Sequence, residues 1–204
     1  MSDGPRVALT FDAEHPDRSW CPPGNADRIL DTLAAEGVEA SFFVQGRWAE
    51  AYPDTARRIA SEGHLVGHHS HYHARMPLLL GGGLEDDVAD GERAIREAVG
   101  VDPHPWFRCP FGAGHDDRRV LERLAALGYR NVYWNVQAED WESWRTGDAI
   151  AVDVVEGVRT HGDGAVVLLH TWPGGTADGL PAMVAGLREL GSAFVTIDRL
   201  EVLP

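Results

Sequence analysis

Four of the ten histidines fall within six residues, in the run Gly67-His68-His69-Ser70-His71-Tyr72-His73. His69 and His73 are four apart, a spacing that one helical turn brings onto a single face. Neutral imidazoles presented together suit a borderline divalent metal such as zinc; a cluster of structural histidines is the alternative. The other residues with chemistry to offer are Asp12, Glu14, Arg108, Asp140 and His170. Carboxylates and imidazoles move protons, and a guanidinium holds a carboxylate ionised.

The elements that precede these residues must bring them together. Short apolar runs at 6–11, 40–44, 64–66, 106–108, 131–134, 165–169 and 193–196 read as seven buried strands. Helices fall between them. Asn25 can cap the first, which carries Ala26, Ile29, Leu30 and Leu33 and ends at Gly37. A second covers 52–62 with Pro53 in its opening turn, and a third lines up Leu84, Val88, Gly91, Ile95 and Ala98. Asp116 and Asp117 favour the start of a fourth; a fifth spans 148–160, and the last shows Leu180, Met183, Val184 and Leu187. Regular alternation of strand and helix argues a parallel sheet with crossover helices, open or closed into a barrel. In such folds the C-terminal ends of the strands share one rim, where active sites sit. Asp12 and Glu14 follow the first strand and the histidine cluster follows the third. Arg108 ends the fourth, Asp140 follows the fifth and His170 follows the sixth. The chemistry thus collects at successive strand ends.

The chain has 204 residues, 44% of them hydrophobic, which suits a single domain spanning 1–204. A net charge of −14 is the wrong sign for a nucleic-acid groove or an anionic membrane surface. No run is long and apolar enough to read as a membrane span. Gly81-Gly82-Gly83 lacks the Lys-Ser/Thr of a phosphate-binding loop. Met1-Ser2-Asp3-Gly4-Pro5 shows no charged-then-apolar leader, so the chain as given reads as cytoplasmic, or as secreted if a leader was removed. Cys21 and Cys109 make no disulfide framework and read as free thiols. Oligomeric state is not legible.

The same residues match a family pattern. Thr10-Phe11-Asp12, His69-Ser70-His71-Tyr72-His73, Arg108-Cys109-Pro110-Phe111, Asp140-Trp141 and Leu168-Leu169-His170 occur in this order. From Val7 to about Leu200 the chain resembles the polysaccharide deacetylases, the NodB-homology domain of carbohydrate esterase family four. The resemblance implies a distorted (β/α) barrel of seven or eight strands. It also implies a metal-dependent hydrolase that removes acetyl groups from N-acetylated sugars, oligosaccharides or sugar conjugates. His69 and His73 would hold one divalent ion with a carboxylate: zinc, with cobalt or nickel as substitutes. His68 and His71 would pack rather than ligate.

An acetamide is a poor electrophile, so water must be activated, and a divalent metal does this while polarising the carbonyl. Under the resemblance Asp12 takes the water's proton and Arg108 pairs with Asp12. The backbone N–H of Phe111 helps stabilise the charge on the carbonyl oxygen. His170 protonates the leaving amine, with Asp140 keeping it charged. Trp141 and Leu168 wall the acetyl pocket.

Two positions depart from the family pattern. The usual first motif has adjacent aspartates, the second a metal ligand; here that place is Ala13, and Glu14 follows. In an extended segment residues 12 and 14 point to one side and residue 13 away. Glu14 is therefore expected as the third ligand, over His15, whose side chain should point opposite to Glu14. The fourth motif opens with Gln137 where aspartate is usual. Competing expectations are a cyclic-amide, imide or other C–N hydrolase on the same scaffold, with or without a metal and supported by Ala13, a non-enzymatic carbohydrate-binding protein, and a redox or metal-storage protein.

Overall fold

The structure is a computed structural model that describes residues 4–200. The leading Met1-Ser2-Asp3 and residues 201–204, both parts of the expected 1–204 span, lie outside the described residues. Eight parallel strands form one sheet: β1 (Arg6–Ala13), β2 (Ser41–Val44), β3 (Leu65–His68), β4 (Trp106–Phe107), β5 (Arg130–Asn131), β6 (Val136–Gln137), β7 (Ala165–His170) and β8 (Ala193–Phe194). The helices are α1 (Gly24–Glu36), α2 (Gly46–Ala51), α3 (Pro53–Ser61), α4 (Gly83–Val99), α5 (Arg118–Ala126), α6 (Gly147–His161) and α7 (Gly174–Glu189).

The strand order is β5-β4-β3-β2-β1-β7-β6, with β8 against the start of β1. β5 and β6 therefore stand at opposite ends of the order, yet only Val132-Tyr133-Trp134-Asn135 separates them. A flat sheet of that width would part its outer strands by about 29 Å. The tetrapeptide and its flanks reach about 18 Å at most. The sheet must curl into a barrel, and its last wall is a covalent strap rather than a ladder. The strap is tied at both ends: Val132 N–H donates to Phe107 O, and Asn135 N–H to Val166 O. The expected strand at 131–134 is thus divided, because its residues cross the seam instead of pairing, and eight strands replace the expected seven.

Period two sorts each strand's side chains. In β1, Val7, Leu9, Phe11 and Ala13 pack outward against α1, α7 and neighbouring helices in the main apolar cluster. The alternate residues Ala8, Thr10 and Asp12 lie on the other face, where Ala8 joins Phe43, Val132, Val166, Ile197 and Leu200 in an inner cluster. In β7, Val167 and Leu169 belong to the outer cluster and Val166 to the inner one. The same alternation turns Leu168 and His170 inward. Parallel register then pairs Asp12 with His170.

Local expectations differ from the structure at two helices and hold at a third. Asn25 does not cap α1; its amide donates to Trp172 O and its oxygen accepts from Arg28, tying the helix start to the loop after β7. The six-residue α2, buried through Trp48 and Ala49, is too short to show a helical period in sequence. Asp117 caps α5 through Arg119 and Val120 N–H, as its position suggested.

Candidate active site

The residues at the strand ends converge on a pocket of about 470 Å³, lined among others by Asp12, Glu14, His69, His73, Trp141 and Leu168. His170 and Phe111 also face it. That volume fits a sugar-sized ligand.

At the centre is Glu14. Its Oε2 lies 3.3 Å from His69 Nε2 and in close contact with His73 Nε2. Ligand atoms of the three residues all lie within 4.8 Å of one another. Burial alone would raise the Glu14 carboxyl. The charge on His73 and hydrogen bonds from His15, His69 and His73 instead hold it well below the usual carboxylate range. His69 and His73 shift in opposite directions. Burial opposes charge on both, but Asp12 and Glu14 raise His69, and a cationic His69 then disfavours a second charge on His73. His69 Nδ1 meets Arg108 O at 2.9 Å. A carbonyl only accepts, so Nδ1 carries the proton and Nε2 faces the pocket as a donor atom. One carboxylate oxygen and two imidazole nitrogens, buried together at a pocket floor, fit a catalytic divalent metal ion.

The convergence of His69 and His73 does not come from a helix. Residues 69–75 form a loop with Ser70 at φ 62° and His73 at φ 57°. Its shape is set by the buried Asp87 of α4, whose carboxylate accepts from His71 and Tyr72 N–H at 3.0 and 3.1 Å. Ser70 Oγ accepts from His73 N–H. α4 can come this near because Gly91 faces the loop: a Cβ there would stand 2.6 Å from the His68 ring. His68 is a packing residue, stacked on Phe107, with Nε2 donating to Val88 O and Nδ1 accepting from Ser70 N–H. Burial drives its pKa down to about 3. His71 is also buried, against Tyr72.

Arg108 is fully buried, stacks over Phe43 at 4.0 Å, and donates from Nη1 to Asp12 Oδ1 at 2.8 Å. That leaves Asp12 Oδ2 turned toward His69 Nε2, 3.5 Å away. Opposite, His170 Nδ1 lies 2.8 Å from Asp140 Oδ1. Asp140 Oδ2 accepts from His170 N–H and from Thr176 Oγ1. Burial resists a charge on His170, but Asp140 at contact, helped by Glu14 and Asp12, lifts its pKa to about 9. Trp141 stands edge-on to His170, with ring centroids 5.5 Å apart. Gln137 accepts from Trp134 Nε1 and lines the pocket beside it, apart from the His170–Asp140 pair.

His15 departs from its expected orientation. At φ 61° it breaks the strand alternation, so its ring turns into the pocket and Nε2 sits 3.1 Å from Glu14 Oε1. Trp172 Nε1 donates to the same oxygen. Trp172, Thr176 and Asp87 join the site from outside the sequence motifs. Trp172 stands two residues past His170, and Asp87 is an acid inside the apolar stripe of α4; both signals were available. Among the described residues, the five non-glycines with positive φ are His15, Ser70, His73, Phe111 and Glu139. All lie in loops that leave strand ends at this rim. A left-handed backbone costs such residues about 1–2 kcal/mol each, strain of the kind that collects at functional sites.

The family model described as "Polysaccharide deacetylase" matches residues 2–132. The chain is 36% identical over 167 residues to a chitooligosaccharide deacetylase of Sinorhizobium fredii, covering 81% of this chain and 72% of that one. It is 30% identical over 195 residues to a peptidoglycan-N-acetylglucosamine deacetylase of Bacillus cereus, covering 94% of this chain and 66% of the relative. A solved structure titled "T48 deacetylase with substrate" superposes with a TM-score of 0.82 at 30% identity, covering 97% of this chain and 90% of that one.

Proposed function

Since the chain belongs to the polysaccharide deacetylase family, we propose that it is a metal-dependent amide hydrolase that removes N-acetyl groups from an acetamido sugar, oligosaccharide or sugar conjugate. The observation that carries this reading is one carboxylate, Glu14, shared by two buried imidazoles, with Asp12–Arg108 on one side and His170–Asp140 on the other.

Glu14, His69 and His73 would hold the metal, zinc being the ion this nitrogen–oxygen set suits best, with cobalt or nickel as substitutes. The ion supplies Lewis acidity, polarising the acyl oxygen and making water easier to deprotonate. Asp12 is the base: Arg108 occupies Oδ1 and leaves Oδ2 to accept the proton of the attacking water. The acyl oxygen gains charge as water adds, and the Phe111 N–H, presented by a left-handed turn, is positioned to donate to it. His170 donates a proton to the leaving nitrogen from Nε2, the ring atom away from Asp140. The C–N bond breaks to give acetate and an amine. Trp141 and Leu168 enclose the methyl group. Trp172 and His15 fix the second oxygen of Glu14 and so orient the first.

Ala13, which supported a metal-free amidase, packs outward in the apolar cluster, and Glu14 brings a carboxylate to the pocket in its stead. An acetate-release assay over N-acetylated sugars, with the protein reconstituted with zinc, cobalt or nickel and with the ion removed by chelation, tests the reading. Metal-dependent acetate release is the expected result; release that survives chelation would favour the metal-free amidase.

A further inference from the structure

The cations of this chain are distributed unevenly around the pocket. All eighteen basic residues are arginines. Among the described residues all but three lie within 4 Å of a carboxylate; the exceptions are Arg18, Arg75 and Arg130. In a chain of net charge −14, an exposed arginine left without a carboxylate is the unusual case.

Two of the three stand at the pocket mouth on different loops. Arg18 follows β1 and lies 5.1 Å from the centre of the Trp20 ring. Arg75 follows β3 and lies 4.3 Å from the centre of the Phe111 ring. Trp20 and Phe111 both line the catalytic pocket and are 55% and 51% exposed. Each guanidinium is held over an aromatic ring with no carboxylate of the described residues on its N–H groups, which suits it to a forked pair of bonds with an anion.

Beside Arg18 lies a side cleft of about 160 Å³, lined also by Arg47 and Tyr72 and sharing His15, His73 and Phe111 with the catalytic pocket; Arg75 borders it through the Phe111 ring. Each acid lining the two spaces already has a partner. Asp12 has Arg108, Glu14 has His69 and His73, and Asp17 has Arg47 at 2.8 Å. The unmatched charge at this mouth is therefore positive.

We infer that the acetylated sugar taken by this site carries an anionic substituent, a carboxylate or a phosphate, which seats in the side cleft between Arg18 and the Arg75–Phe111 stack. This inference rests on the deacetylase reading above. Guanidinium groups pair with either anion through two parallel N–H bonds.

The test compares a neutral N-acetylglucosamine trisaccharide with N-acetylglucosamine 6-phosphate and with a disaccharide containing N-acetylmuramic acid, which bears a carboxylate. At low salt KM for one charged probe should be about tenfold below that for the neutral one, and added salt should erase the gain. Arg75→Gln and Arg18→Gln should remove it while leaving turnover of the neutral probe unchanged. The charged probe that benefits identifies the anion. Equal KM values for all probes, or a loss in the arginine variants that is the same for neutral and charged probes, would overturn the inference. If no probe is turned over, the deacetylase reading fails. Calorimetric binding to the Asp12→Asn protein then still decides the anion cleft: a preference for a charged probe that the arginine variants abolish supports it, and no preference overturns it.

Discussion

One carboxylate grips His170 twice: Asp140 Oδ1 faces ring Nδ1 at 2.8 Å, and Oδ2 accepts the same residue's backbone N–H at 2.7 Å. Ring and main chain are thus fixed by one partner, itself steadied by Thr176. A charged ring with Nε2 toward the pocket is the form a proton donor needs. An acid works below its pKa, so the donor should serve until pH rises toward about 9. Asp140→Asn removes the charge that outweighs burial. We expect the alkaline limb of kcat/KM to move down by about one pH unit or more. An unmoved limb would assign it to another group.

Asp12→Asn and His170→Ala should each lower kcat by about a hundredfold or more. Both should still bind one divalent ion per chain by elemental analysis, since neither belongs to the Glu14, His69, His73 group. Loss of the ion in Asp12→Asn would make Asp12 a ligand instead of a base.

Metal affinity should depend on Glu14 more than on its neighbour. Glu14→Gln should weaken zinc binding strongly, while His15→Ala, which loses a contact to the second oxygen and the edge-on packing on His73 but no ligand atom, should weaken it mildly. Metal loss in His15→Ala with Glu14→Gln unaffected would reverse the ligand assignment. Because Asp12 and Glu14 raise His69, an incoming ion must displace its proton. Affinity should fall as pH falls below the range where His69 titrates, by about tenfold per pH unit for one proton. Competition titrations at several pH values read the slope.

His68 should shape acid stability. Buried and held neutral, it titrates near 3 in the fold and near 6.5 when unfolded. Below about 6.5 the unfolded chain binds the extra proton, so this contribution to stability is complete above that pH and is lost as pH falls toward 3. It adds about 1.4 kcal/mol per pH unit to the slope. Urea unfolding at several pH values should give a shallower slope for His68→Gln than for the native protein, whatever the variant's absolute stability. Identical slopes would refute the assignment.

Cys21 and Cys109 are buried free thiols whose pKa values burial pushes up to about 12. A disulfide-exchange reagent should react slowly with the native protein at neutral pH and titrate two thiols once the chain is denatured without reductant. Finding no thiols in the denatured chain would contradict this.

The sequence made the rim legible because strand alternation is a short-range rule that puts Asp12 and Glu14 on one side, and because each chemical residue follows a strand. That Asp12 meets His170 in register could not be read, since it depends on pairing two strands distant in sequence. How His73 reaches the site was not legible, since the four-residue spacing imitates a helix. The loop owes its shape to Asp87, distant in sequence and hidden in a helical stripe. The inward turn of His15 depends on one left-handed backbone residue, which no side-chain pattern announces. The divided strand at 131–134 was obscured because its apolar residues are buried by crossing a seam, and burial alone does not distinguish crossing from pairing.

That seam also bears on how substrate scope can change. No hydrogen-bond ladder passes between β5 and β6; the strap alone joins them, and its Trp134 lines the pocket. Lengthening or shortening a ladder strand would shift the register that pairs Asp12 with His170. Changing the strap alters the width of the groove on that side and leaves the register intact. The fold therefore separates the ladder, together with the strap carbonyl of Val132 that accepts from Arg108, which the reaction needs constant, from outward parts of the strap that can diverge, so that descendants of one catalytic barrel can come to grip substrates of different bulk.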